Sequence, residues 1–571
     1  MTSTWQQIAT EKKSRQLDSV PQEWLNSSLP SEETLSVINF PQETNVLSAL
    51  DREITESSVA NLLSNLASRK WTSVQVTTSF YKRAIVAQQL TNCLTEIFVD
   101  RALVRAKELD EHLEKTGTVV GPLHGLPISL KDQISIKQIE STIGYVSWVG
   151  KFAEKNSVLV DILESLGAVP FVKTNVPQTL MWPETFNHIF GRTTNPYNRS
   201  LTSGGSSGGE GALIALKGSP LGVGSDIGGQ VSIRIPAGFC GVYGFRPSYN
   251  RIPYAGCVNT MEGGDSILSV LGPLSNSLDG IKTFFKAVTS KEPWLKDPMV
   301  IRKRWSEEEY NLIDHGNGKN LCFAIMWDNG LIVPHPPVRR GLEITKAALL
   351  AAGHRGILSS LYLNTVIDWK PYKQAEITKN ISDIWAAAAE EDFKTVVALS
   401  GEPVIESMGL VQSEKELLFR PTGSGISAFA LWQLQKKKRD LRQEHLNHWE
   451  DTASQTGTGR PVDAIISPLA PYTAPPHGLN KYGQYTMPLN LLDYPAMIIP
   501  VSKVDQELDV KQPREDFYTA DDRENYEQYD PATYENAPVS IQVIGRTGEE
   551  EATIALSEII DEALRGAKSK L

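Results

Sequence analysis

Residues 202–210 read Thr202-Ser203-Gly204-Gly205-Ser206-Ser207-Gly208-Gly209-Glu210. Three local readings compete for this stretch. A glycine-rich loop exposes backbone N–H groups and suits a phosphate, but no Gly-Lys-Ser or Gly-Lys-Thr follows. Gly204 to Gly208 fits the Gly-x-Ser-x-Gly of a nucleophile elbow. An elbow rises from a strand, however, and Asn195–Ser203 (NPYNRSLTS) does not read as one. The plainest reading is a Gly-Ser turn that opens a helix over Gly211–Leu216.

Downstream, residues 224–236 read GSDIGGQVSIRIP. Successive glycines let backbone N–H groups converge on one point, as an oxyanion hole requires. A serine beside such a loop is a candidate nucleophile. Upstream, Gly121–Asp132 (GPLHGLPISLKD) is a turn-rich entry into a short strand, Ile128-Ser129-Leu130, that ends at Lys131. Burial disfavours an ammonium, so a buried lysine can act as a base. A surface lysine, or one paired with Asp132, is the plain alternative.

The flanks alternate between helix and strand. Helical patterns begin at Ile54 and Ser73, and another covers Asp100–Glu114. Ser157 caps a helix whose Leu159, Ile162, Leu163 and Leu166 share a face; Gly167 ends it, and Val169–Val172 runs on as a strand. Further helices are predicted near 277–289, 338–352, 371–397, 427–452 and 549–564, with apolar strands at 321–326, 464–466, 496–501 and 539–544. Residues 503–537, polar and rich in Tyr and Asp, read as a long surface loop. Residues 1–53 read as a helical arm or a loosely packed extension. The alternation predicts an α/β layered architecture.

Lys131 in GLPISLKD, the loop GGSSGGE and the later DIGG…SIRIP, in this order and spacing, resemble the amidase signature family. The likeness runs from about Ile54 to Ile560 and takes in KTNVPQ (173–178), CGVYGFRP (240–247) and APVSIQ (537–542). Within the family the chain is most similar to fungal acetamidase-type enzymes. The resemblance implies an α/β/α fold, with one large mixed β-sheet covered by helices on both faces, and a single catalytic domain over 54–571. It also implies a Ser–cis-Ser–Lys triad: Lys131 as terminal base and Ser206, after a cis bond from Gly205, as the bridging serine. Ile227, Gly228, Gly229 and Gln230 become the oxyanion loop, and Leu180 and Met181 substrate contacts, although both also suit plain core packing. The implied reaction is hydrolysis of a monocarboxylic amide to acid and ammonia or amine through an acyl-enzyme, with no metal and no organic cofactor.

The later motif departs from the family order, Asp-Ile-Gly-Gly-Ser-Ile-Arg. Here Gln230 and Val231 intervene between the glycines and Ser232. Counted from the glycines, the nucleophile position holds Gln230; counted back from Arg234 and Pro236, it is Ser232. Only Ser232 carries a hydroxyl, so the nucleophile is assigned there. Two residues add up to about 7 Å of chain, and loss of one oxyanion donor costs roughly 10²–10³ in turnover. Either a bulge restores the geometry or the chain is a catalytically impaired amidase-fold scaffold. An amidotransferase subunit is disfavoured by the acetamidase-like flanks, and an α/β-hydrolase esterase by the missing strand. Asp226 and Arg234 read as residues that hold the loop. His445 and His448, at i and i+3 on a charged helix, lack a third ligand for a metal.

Lys+Arg total 56 against 67 Asp+Glu, a net charge of −11. That balance argues against a nucleic-acid or anionic-membrane partner. An apolar fraction of 40% is too high for disorder. Four cysteines without a C-x-x-C pair indicate neither a disulfide scaffold nor zinc. No apolar run reaches the length of a membrane span, and the N-terminus lacks the apolar core of a secretory signal. The chain is therefore expected inside the cell. Its last residues, Ser569-Lys570-Leu571, match the address read by the peroxisomal import receptor; the cytoplasm is the expectation otherwise. The expected partners are that receptor and a small-molecule amide, with a homodimer left open.

Overall fold

Apolar side chains alternate along the central strands, and the alternation sorts them into two cores. Phe323 and Ile325 join one core, whereas Cys322, Ala324 and Met326 join the other. Ala496–Lys503 divides the same way, with Met497, Ile499 and Val501 against Ala496 and Ile498. A strand covered on both faces must send successive side chains to opposite layers.

The computed structural model describes residues 4–228, 232–353, 366–405 and 425–568. Its main sheet has 11 strands. In spatial order they are Leu94–Ile97, Val169–Thr174, Pro127–Lys131, Leu221–Asp226, Val270–Ser275, Tyr243–Arg246, Ala496–Lys503, Pro538–Ile544, Ala464–Ser467, Phe323–Ile325 and Val366–Asp368. Pro127–Lys131 is parallel to both neighbours, as is Phe323–Ile325, and the other pairs are antiparallel. The sheet is thus mixed, with helices around it, as the α/β reading expects.

Helix starts follow the caps in the sequence. Ser157 Oγ accepts the Val160 N–H at 3.4 Å at the head of Val158–Ser165. Thr72 and Gln75 form a capping box on Ser73–Thr91. Three expectations need correction. The helix expected over 371–397 is two, Gln374–Ala386 and Ala389–Ala398, broken where Ala388 leaves helical geometry (φ −148°). The supposed surface loop 503–537 contains the helix Ala520–Gln528. It also buries Asp509 against Arg340, at 2.6 Å, and Tyr529 and Tyr534 in an apolar core.

The N-terminal segment is not loosely packed either. Thr4 caps the helix Trp5–Asp18, and its Lys12, 3% exposed, reaches both Glu96 and Glu140. Burial pushes the Glu96 carboxyl up to about 7 against the pull of Lys12. Next to this socket, Lys173 donates to the Glu140 carbonyl at 2.8 Å and lies 3.8 Å from Asp132, the neighbour of Lys131. Removing one partner of a buried pair strands the other charge at a cost of about 3 kcal/mol. Lys12→Met is therefore expected to lower the thermal unfolding midpoint by several degrees, as measured by circular dichroism.

Candidate active site

Lys131 ends a strand whose successive side chains point opposite ways. Ile128 and Leu130 enter a core; Ser129 and Lys131 fall on the other face. Three adjacent parallel strands end side by side here, Pro127–Lys131 between Val169–Thr174 and Leu221–Asp226. Ligand sites of α/β sheets gather at such carboxyl ends. Lys131 is fully buried, and its Nζ lies 2.6 Å from Ser206 Oγ and 2.7 Å from Ser225 Oγ. Burial lowers its pKa from 10.5 to about 7, although Asp226, Glu210 and Asp132 pull the other way.

Ser206 lies on the turn between a short strand and a buried helix. Contrary to the sequence expectation, Asn198–Thr202 is a strand, paired with Thr194–Asn195. The missed pairing rests on polar contacts: the Asn195 amide donates to the Thr202 carbonyl at 3.1 Å, and Asn195 Oδ1 accepts the Tyr197 N–H at 3.0 Å. This two-stranded hairpin lies outside the main sheet, so no elbow rises from a central strand. The helix that follows is Gly208–Ala215, starting earlier than Gly211. The Gly205–Ser206 peptide bond is cis. A Cβ on Gly205 would lie 2.7 Å from both the Trp182 carbonyl oxygen and the Glu184 nitrogen, so the segment 182–184 leaves room only for glycine.

Ser232 lies against the same turn. The Ser207 N–H donates to its carbonyl at 3.2 Å, and Ser232 is 3% exposed. The ensuing helix begins at Arg234, whose Nε lies 3.2 Å from Asp226 Oδ2, both side chains fully buried. Asn490 completes this brace: its amide donates to Asp226 Oδ1 at 2.8 Å, and its oxygen accepts from Arg234. Burial would raise the Asp226 carboxyl, but Arg234 and then Arg246, with the Asn490 amide, hold it below the usual range. Asp226 and Arg234 thus clasp the two ends of the loop. Ile227 is half-buried. Gly228 has φ +86°, and a Cβ there would lie 2.2 Å from Asn490 Cγ. Gly229 and Gln230, with Val231, lie outside the described residues.

Leu180 and Met181 are both buried but enter different apolar clusters. Leu180 packs with Ile143, Tyr145 and Val176, whereas Met181 lies in a core with Ile233 and Ile235. His445 packs on Trp369 and Tyr494, and burial pushes its pKa down to about 3.

Sequence reasoning gave no role to Ser225, Gln133, Glu210 or Asn490, which the structure brings to this site. Ser225 touches Lys131 and also donates to Gln133, whose amide donates to Tyr254 at 2.6 Å. Glu210 is fully buried; it accepts from Ser129 Oγ at 2.7 Å and from Thr174 Oγ1, beside Lys131 in register, at 3.0 Å. Burial pushes its carboxyl up to about 8 despite these donors. Asn490 is 264 residues from Asp226 in sequence. Ser225 and Glu210 each sit inside a quoted motif, which was the available signal.

The Amidase family model matches residues 75–554. The chain belongs to the Amidase family. It is 42% identical to an acetamidase of Emericella nidulans and 40% identical to an acetamidase of Aspergillus oryzae, each alignment covering 99% of both chains. Among solved structures, a fatty acid amide hydrolase superposes with a TM-score of 0.88 at 29% identity, over 98% of this chain and 94% of that one. As a member of this family the chain is an amide hydrolase by descent, and its fold is the family's.

Proposed function

We propose that the chain hydrolyses a small monocarboxylic amide, of which acetamide is the type, through an acyl-enzyme on Ser232. The observation that carries this reading is the fully buried Lys131 amine, 2.6 Å from Ser206 Oγ and lowered to about 7. A lysine in that range is neutral for much of the population at neutral pH, and so able to accept a proton. Ser232 Oγ passes its proton to Ser206 as Ser206 passes its own to Lys131. The Ser232 oxygen then attacks the amide carbonyl. The oxyanion is assigned to backbone N–H groups of the loop that opens at Ile227 and Gly228. The relay returns the proton to the leaving nitrogen, and water releases the acid by the same route. The acetamidases named above support the substrate class. The test is ammonia release from acetamide and benzamide by the purified chain, for which turnover is expected.

The Gln230-Val231 insertion favours a second reading, an impaired amidase-fold scaffold. If the wild type releases no ammonia while a variant lacking Gln230 and Val231 does, this second reading replaces the first. Ser569-Lys570-Leu571, outside the described residues, supports import into the peroxisome. Masking that end with a tag is expected to leave the protein in the cytoplasm on imaging; an unchanged peroxisomal pattern contradicts the proposal.

A further inference from the structure

Residues 436–442 read KKKRDLR, a dense basic run in a chain of net charge −11. Two of its cations are neutralised: Lys436 pairs with Asp440, and Lys437 with Glu376, each at 2.8 Å. Arg439 and Arg442, on the helix Ala428–Glu450, instead line a cleft of about 580 Å³ together with Arg546 and with Lys438, whose ammonium donates to the Ser266 carbonyl. Like charges one helical turn apart, as at Lys438 and Arg442, destabilise a helix by a few tenths of a kcal/mol.

The acids around the cleft do not balance it. Asp493 accepts the Tyr249 N–H at 2.8 Å and lies 3.4 Å from Arg246, with Arg442 more distant at 3.7 Å. Glu549 lies 3.6 Å from His315. Glu450, half exposed, takes one end of Arg546 at 3.1 Å. The Arg546 Nε is buried without a partner, while the guanidinium stacks 5.4 Å from the Trp449 ring. Arg439 has no ion pair among the described residues.

Several guanidinium groups lining one cleft, with Arg546 Nε unpartnered, match the several oxygens of a multivalent anion better than a single carboxylate. We propose that this cleft, formed by Lys438, Arg439, Arg442 and Arg546, binds a small free oxyanion of the phosphate class. The probe is pyrophosphate, titrated calorimetrically into the full chain at ionic strength held constant with chloride. Saturable one-site binding is expected, weakened at least about tenfold in Arg439→Gln/Arg442→Gln, which removes two of the four cations. Because Arg442 also meets Asp493, a second variant guards against misfolding. Arg439→Glu, at an exposed side chain, is expected to weaken binding severalfold while leaving thermal unfolding in chloride unchanged. Heats no larger than those of a chloride control, or equal affinity in the wild type and both variants, would overturn the proposal.

Discussion

Lys131→Met is expected to lower amide turnover by about 10²–10⁴-fold, the range for loss of a positioned general base. Methionine fills much of the same buried volume without an amine, so the fold is retained. The pH dependence gives the more specific signature. Lys131 must be neutral to accept a proton, and its pKa sits at about 7 because burial outweighs the attraction of Asp226, Glu210 and Asp132. Wild-type kcat/KM is expected to fall as pH drops through about 7 and to level off above it. In Lys131→Met this acid limb disappears. A limb that persists unchanged in the variant would assign it to another group.

Ser232→Ala is expected to have the larger effect, on the order of 10⁶-fold in kcat, since loss of a nucleophile removes the covalent route altogether. Groups that act as one unit are strongly non-additive. The double variant Lys131→Met/Ser232→Ala is therefore expected to be no slower than Ser232→Ala alone. Ser206→Ala should resemble Lys131→Met, because it cuts the relay at its middle. Measuring ammonia release from acetamide in all four variants tests the relay as a set. Additive losses would indicate that the three residues do not work on one proton.

The sequence was most informative where chemistry is local. The strand through Lys131 was legible because Ile128 and Leu130 alternate with Ser129 and Lys131, and the cap at Ser157 because serine there has a mechanism. The juxtaposition of Lys131 with Ser206 came from family resemblance, since strand order across a mixed sheet has no signature in a single sequence. For the same reason Asn490 and Ser225 went unseen: one joins the site from 264 residues away, the other from a neighbouring strand. The break near Ala388 was hidden by an alanine run, 386–389, whose helix propensity is the highest available. The hairpin Asn198–Thr202 lacked apolar alternation because Asn195 and its backbone partners, rather than a two-faced core, hold it.

The assignment of Ser232, two residues beyond the family position, is the claim on which the mechanism depends. Its most direct test is to treat the purified chain with a small fluorophosphonate and locate the adduct by peptide mass spectrometry. Stoichiometric labelling of Ser232, slowed in Lys131→Met and absent in Ser232→Ala, is the expected result. A correctly folded chain that stays unlabelled, or that carries the adduct on Ser206 or Ser225, would contradict it.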